Sequence, residues 1–157
     1  MKFNYELRPS KPYEGGLPIF EPIVPIELLG PTGAIRFRAL LDTGSHISVF
    51  PNISASSKHL TGNSSKLRGV VAGNEKLIFE GRGISICIGS DGEKYVWEAG
   101  VWFTEDDTHR PTLGVLGCLE YFNAEFRGQE RTVTLEPAEN FPGKVVSLWE
   151  RLPFAGA

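Results

Sequence analysis

Residues 39–51 read ALLDTGSHISVFP: an apolar run, Ala39-Leu40-Leu41, meets a carboxylate at Asp42, and an apolar strand leaves again over Ile47–Phe50. An ionised carboxylate set between buried strands is costly unless it is hydrogen-bonded, paired or neutralised. The chain has four aspartates, and three have simple places. Asp91 belongs to an Asp-Gly turn, and Asp106 and Asp107 sit in the polar stretch TEDDTHRP. Asp42 is therefore either a turn acid at the protein edge or a functional acid in a cleft. Thr43, Gly44 and Ser45 follow it with two hydroxyls and a residue without Cβ, which lets the backbone turn sharply and approach a ligand closely.

Period-two alternation dominates on either side of this stretch. Ile35, Phe37, Ala39 and Leu41 form one face of a strand, and Ile84, Ile86 and Ile88 form another. Ser90-Asp91-Gly92-Glu93 predicts a hairpin turn into the strand Tyr95–Phe103, because Asp-Gly tolerates positive φ. Arg127–Glu130 predicts a second turn, between NAEF and RTVTLE. Helical signal is thin: one or two turns over Cys118–Phe122, a single turn over Asn52–Ser57, and a short amphipathic helix over Lys144–Leu152. Short strands punctuated by 18 glycines and 11 prolines read as one all-β domain over residues 1–157, a small barrel or a folded sheet. Residues 1–18 are polar and form a candidate arm, with a pro-segment, a covering strand or disorder all open. Residues 138–157 carry Phe141, Val145, Leu148, Trp149 and Leu152, too apolar a group to leave in water, so this extension is expected to pack on the body or on a partner.

Asp-Thr-Gly alone is a weak signal, since about three per cent of chains this long contain it by chance. A second motif strengthens it. Val115-Leu116-Gly117, in TLGVLGCLEYF, places two apolar residues and a Gly before a short helical stretch, with Gly117 73 positions after Gly44 (117 − 44). With these two motifs and the following NAEFRGQERTVTLEP, the chain resembles the retropepsin-like aspartic peptidases of bacterial type, over roughly residues 17–137. The resemblance implies a closed or folded barrel with one short helix near the C-terminus, and an active site completed by homodimerisation.

The resemblance makes Asp42 the catalytic residue. Peptide hydrolysis by this chemistry uses two carboxylates sharing one proton, and like charges about 3 Å apart do not both ionise easily. Only one Asp-Thr-Gly is present, so the second acid comes from an identical chain across a two-fold axis. Thr43 is expected at that axis, Gly44 at the sharp turn, and Ser45 donating to an outer oxygen of Asp42. No metal or other cofactor is required. A mobile hairpin closing over the peptide is expected at Arg68–Gly83, with its tip at Ala72-Gly73-Asn74. The substrate is expected to lie extended as an added strand, with Ile47 and Val115 as pocket walls. His46 and Cys118 stand where many relatives carry an Asp and an Arg that pair, so this chain lacks that brace, and His46 becomes a candidate substrate contact.

Composition narrows the partners. With 16 basic and 19 acidic side chains, a net charge of −3 and no Lys/Arg block, neither nucleic acid nor an anionic membrane is an expected partner. MKFNYELRPSKPYEGG has no apolar signal-peptide core, and no apolar run reaches the roughly 18 residues of a spanning helix, so a cytoplasmic address is expected. Cys87 and Cys118 read as reduced, buried thiols, and His46, His59 and His109 lack metal-ligand spacing. The rival reading is a dimeric peptide-binding scaffold that keeps the loop and cleaves little or nothing.

Overall fold

The computed structural model describes residues 1–9, 15–30, 33–51, 66–71, 74–81, 83–90 and 92–147. Its strands are β1 (Lys2–Asn4), β2 (Glu6–Arg8), β3 (Ile19–Glu21), β4 (Ile23–Gly30), β5 (Gly33–Leu41), β6 (Ser48–Pro51), β7 (Lys66–Val71), β8 (Asn74–Gly81), β9 (Ser85–Ser90), β10 (Glu93–Glu98), β11 (Val101–Thr104), β12 (Thr112–Leu113), β13 (Phe122–Arg127), β14 (Thr132–Pro137) and β15 (Lys144–Ser147). The protein is predominantly β. The one helical element among the described residues is the 3-10 turn Leu119–Tyr121, inside the stretch where the sequence predicts a turn or two.

Ten strands form one sheet in the order β15-β10-β9-β4-β5-β12-β6-β11-β8-β7. Alternation in β4 and β5 turns Val24, Ile26, Leu28, Phe37, Ala39 and Leu41 inward and leaves Arg36 and Arg38 outside. Ile84, Ile86 and Ile88 are wholly buried, as their spacing predicts. The waist of the sheet is β12, two residues long, which runs parallel to β5 and antiparallel to β6. Across that waist the two halves share one core: Phe37 of β5 lies 5.2 Å from Phe50 of β6, which lies 6.1 Å from Phe103 of β11. Of the closed and folded forms expected, the closed barrel does not form among the described residues. The sheet ends in β15 on one side and β7 on the other, and its halves meet through side chains rather than edge hydrogen bonds.

A three-stranded sheet, β1-β14-β13, adds Phe3, Phe122, Val133 and Leu135 to the same core. Of the states open to the first residues, Lys2–Asn4 takes that of a covering strand. Leu135 N donates to Met1 O at 2.8 Å, and Phe3 is buried. At the hairpin predicted over residues 90–93, Ser90 stands opposite Glu93 and Gly92 takes φ 92°, while Asp91 lies outside the described residues. The turn predicted at 127–130 joins β13 to β14, and it places Arg131 at φ 53° with its guanidinium 3.6 Å above the Phe20 ring.

The tail departs from expectation. Lys144–Ser147 is a strand on the edge of β10, not the start of a helix, and residues 148–157 lie outside the described part. Two adjacent β-branched valines disfavour the helix, and β10 offers an unpaired edge. Gly143 makes the approach possible, since a Cβ there would sit 2.6 Å from Trp97 Cβ. Phe141 packs edge-on against Tyr95 and Trp97, which places this part of the extension on the body. The single turn predicted over Asn52–Ser57 also lies outside the described residues.

The β2–β3 ribbon is fastened to the body by charge. Arg38 pairs with Glu6, while Glu21 takes the guanidinium of Arg110 and that of Arg8 at 3.1 Å. The hydrogen bond from Arg110 is the main cause holding the Glu21 carboxyl below its ordinary value of 4.5. A depressed carboxylate contributes stability above that ordinary value, and the contribution is lost as pH falls through the folded-state value. The ribbon is therefore expected to loosen in acid before the core does. Amide exchange at Leu7 and Phe20 should rise relative to Ile86 between about pH 5 and pH 3, after correction for intrinsic rates. Parallel behaviour of the three amides across that range would refute this role for Glu21.

Candidate active site

Asp42 is the first residue past β5, and its loop returns through β6. The neighbouring strand β12 ends alongside it, because β5 and β12 run parallel with Leu41 opposite Leu113. Backbone bonds then sew the two motifs together. Asp42 N donates to Leu113 O at 3.0 Å, Val115 N to Ser45 O at 2.9 Å, and Leu116 N to His46 O at 2.9 Å. A side chain adds a fourth tie: the buried Ser48 hydroxyl accepts from Gly114 N at 3.1 Å. Two segments more than sixty positions apart in sequence are thus one structural unit, and Asp42 sits at its rim.

Within the loop, Gly44 N donates to Asp42 Oδ1 at 2.9 Å, a charge-assisted bond that favours a fixed carboxylate orientation. A Cβ at Gly44 would lie 3.2 Å from that same oxygen, so a side chain here would crowd the acid. Ser45 does not hold the carboxylate as expected. Its hydroxyl donates to Ile47 O at 2.8 Å, because the loop turns back on itself between residues 45 and 47 and offers that carbonyl two residues on. The backbone amide of Gly44 takes the role assigned to the serine.

Asp42 is half-buried, while Thr43, Gly44 and His46 are exposed and Leu116 leaves 53% of its surface in solvent. These positions make one open face around the acid. Ile47 turns inward and packs with Val49, Ile78 and Trp102 in a small apolar cluster. Ile78 belongs to β8, so the β7–β8 hairpin and the exit of the Asp42 loop contribute to one cluster. That hairpin is the expected one, with Val71 opposite Asn74. Ala72 and Gly73 at its tip lie outside the described residues.

Val115 is half-buried beside Ser45, and Gly117 adopts φ 77°. The residue that sequence reasoning missed is Gly114. A Cβ on it would sit 2.6 Å from the Ile47 carbonyl carbon and 2.8 Å from Ser45 O, so only glycine lets the two motifs meet. The doubled Gly of TLGVLG was the available signal. Cys87 and Cys118 are both free and buried. Burial pushes the Cys118 thiol far up, and it is the main cause raising Cys87 to about 11. Neither thiol is fitted for nucleophilic work near neutral pH. No helix among the described residues is long and apolar enough to cross a membrane.

Comparison with models of known protein families and with curated proteins finds no match.

Proposed function

We propose that the chain is a homodimeric aspartic endopeptidase of retropepsin type, hydrolysing peptide bonds with water activated between two Asp42 carboxylates, one from each copy. The observation that carries this reading is the stitching of the Asp42 loop to residues 113–116, which fixes a single acid at the rim of an open face. A turn acid needs no such scaffold. The exposure of Thr43, Gly44, His46 and Leu116 around it supports a second copy meeting the first there.

In the proposed site, the ionised carboxylate removes a proton from water as its oxygen attacks the peptide carbonyl carbon. The protonated carboxylate gives its proton to the carbonyl oxygen, forming a gem-diol. Collapse of that diol breaks the C–N bond as the carboxyl that took water's proton gives it to the departing nitrogen, while a diol hydroxyl yields its proton to the other carboxylate and leaves one proton on the pair. Gly44 N–H keeps Oδ1 oriented through the cycle. The apolar cluster that Ile78 shares with Ile47, Val49 and Trp102 supports the β7–β8 hairpin as the flap, since the hairpin and the exit of the loop both contribute to it. The cytoplasmic address and a substrate bound as an extended strand belong to the same proposal.

The test is digestion of a peptide library between about pH 4 and pH 7 by native and Asp42→Asn protein, with and without a statine-type inhibitor. Cleavage by the native form alone, blocked by the inhibitor, is the expected result. Peptides bound but left intact would establish the scaffold reading instead.

A further inference from the structure

We infer that Trp97 and Glu120 are positioning residues for Asp42, holding the carbonyl and the amide of Gly117 and, through them, the run that shapes the acid's loop. The inference rests on the reading of Asp42 as the reacting group. Residues 113–116 shape that loop through three backbone bonds, so whatever fixes the end of this run also fixes the carboxylate. The end is Gly117, whose left-handed φ of 77° suits glycine and whose absent Cβ would lie 3.3 Å from Gly100 O.

Both polar groups of Gly117 are taken by side chains from different elements. The indole Nε1–H of Trp97, on β10, donates to Gly117 O at 2.7 Å. Oε1 of Glu120, in the 3-10 turn, accepts from Gly117 N at 2.6 Å. The two anchors differ in kind. Trp97 is buried and wedged edge-on between Phe122, at 5.3 Å, and Phe141, at 5.8 Å, so its N–H is a rigid donor built into the core. Glu120 is exposed, and its charge strengthens a bond that a neutral acceptor would make more weakly. Release of either lets Gly117 swing, and the swing passes through Leu116 N to His46 O and through Val115 N to Ser45 O. A displacement of about 1 Å at a reacting group can cost a hundredfold in rate.

The experiment compares native, Glu120→Ala, Glu120→Gln and Trp97→Phe chains, full-length, by steady-state peptide cleavage and by amide hydrogen exchange. For Glu120→Ala, kcat should fall about tenfold or more with KM changed less than about twofold. Exchange should quicken about tenfold at Gly117, Val115, Leu116 and Asp42, and stay unchanged at Ile86 and Ile88 in the core. Glu120→Gln keeps an acceptor oxygen and should recover most of both readouts. Trp97→Phe should repeat the pattern if it folds, while the exposed Glu120 variants keep the test sound if it does not. Faster exchange confined to Gly117, or a glutamine form as impaired as the alanine form, would overturn the inference. A native chain that cleaves no peptide would defeat the peptidase reading by itself. The exchange pattern then decides the clamp alone, spread to Asp42 supporting it and confinement to Gly117 refuting it.

Discussion

Asp42→Asn protein should be folded, match the native chain in oligomeric state, and be at least about a thousandfold slower on any peptide the native chain cleaves. The fold survives because asparagine keeps an Oδ1 that can accept the Gly44 amide, which stands 2.9 Å away, and because Asp42 is only half-buried. The chemistry does not survive. An amide neither removes a proton from water nor returns one to the departing nitrogen, and in a symmetric pair both copies lose that capacity together. Proton transfer by a positioned side chain contributes about a hundred- to ten-thousandfold, and here two such transfers vanish. Initial rates and thermal denaturation of the two forms check the prediction. Native-like cleavage by the variant would assign the activity to other residues or to a contaminant.

Gly114→Ala should cost about 2–4 kcal/mol of stability and at least about a hundredfold in activity, although it adds one methyl group. The new Cβ meets backbone, 2.6 Å from the Ile47 carbonyl carbon and 2.8 Å from Ser45 O, and backbone does not rotate aside as the end of a long side chain does. Either β12 withdraws from the loop or the loop withdraws from β12. Both break the bonds from Val115 and Leu116 to Ser45 and His46. Gly33→Ala is the control: it meets nothing within 4 Å and should lie within about 0.5 kcal/mol of native. Urea unfolding of the three proteins measures the difference. Equal midpoints for the two variants would mean that the loops yield cheaply and that their contact is not what holds the acid.

The parts of this fold that the sequence makes legible are those governed by neighbours in the chain. Alternation fixes the faces of β5 and β9, and Asp91-Gly92 marks the turn between β9 and β10 because one residue there needs positive φ. Gly114 is different, since its requirement arises from carbonyls on another loop more than sixty positions away. Ser45 misleads for the opposite reason: a carbonyl two residues on, at Ile47, captures its hydroxyl before the acid does. Lys144–Ser147 shows tertiary structure overriding a pattern. Apolar spacing suited to a helix yields to the free edge of β10, which satisfies the same backbone groups and buries Val146. In the site itself, the two motifs were readable, whereas their meeting at Gly114 and the Trp97 and Glu120 contacts to Gly117 depend on where β12, β10 and the 3-10 turn come to rest.

In the proposed enzyme one acid per chain suffices because two chains share a site. Mixing native protein with a roughly ninefold excess of Asp42→Asn protein, under conditions of free exchange between copies, tests it most directly. Random assortment leaves about one pair in a hundred fully native, so the rate from a fixed amount of native chain should fall about tenfold. A rate unchanged by the excess would show that each chain works alone, and would contradict the paired-acid account.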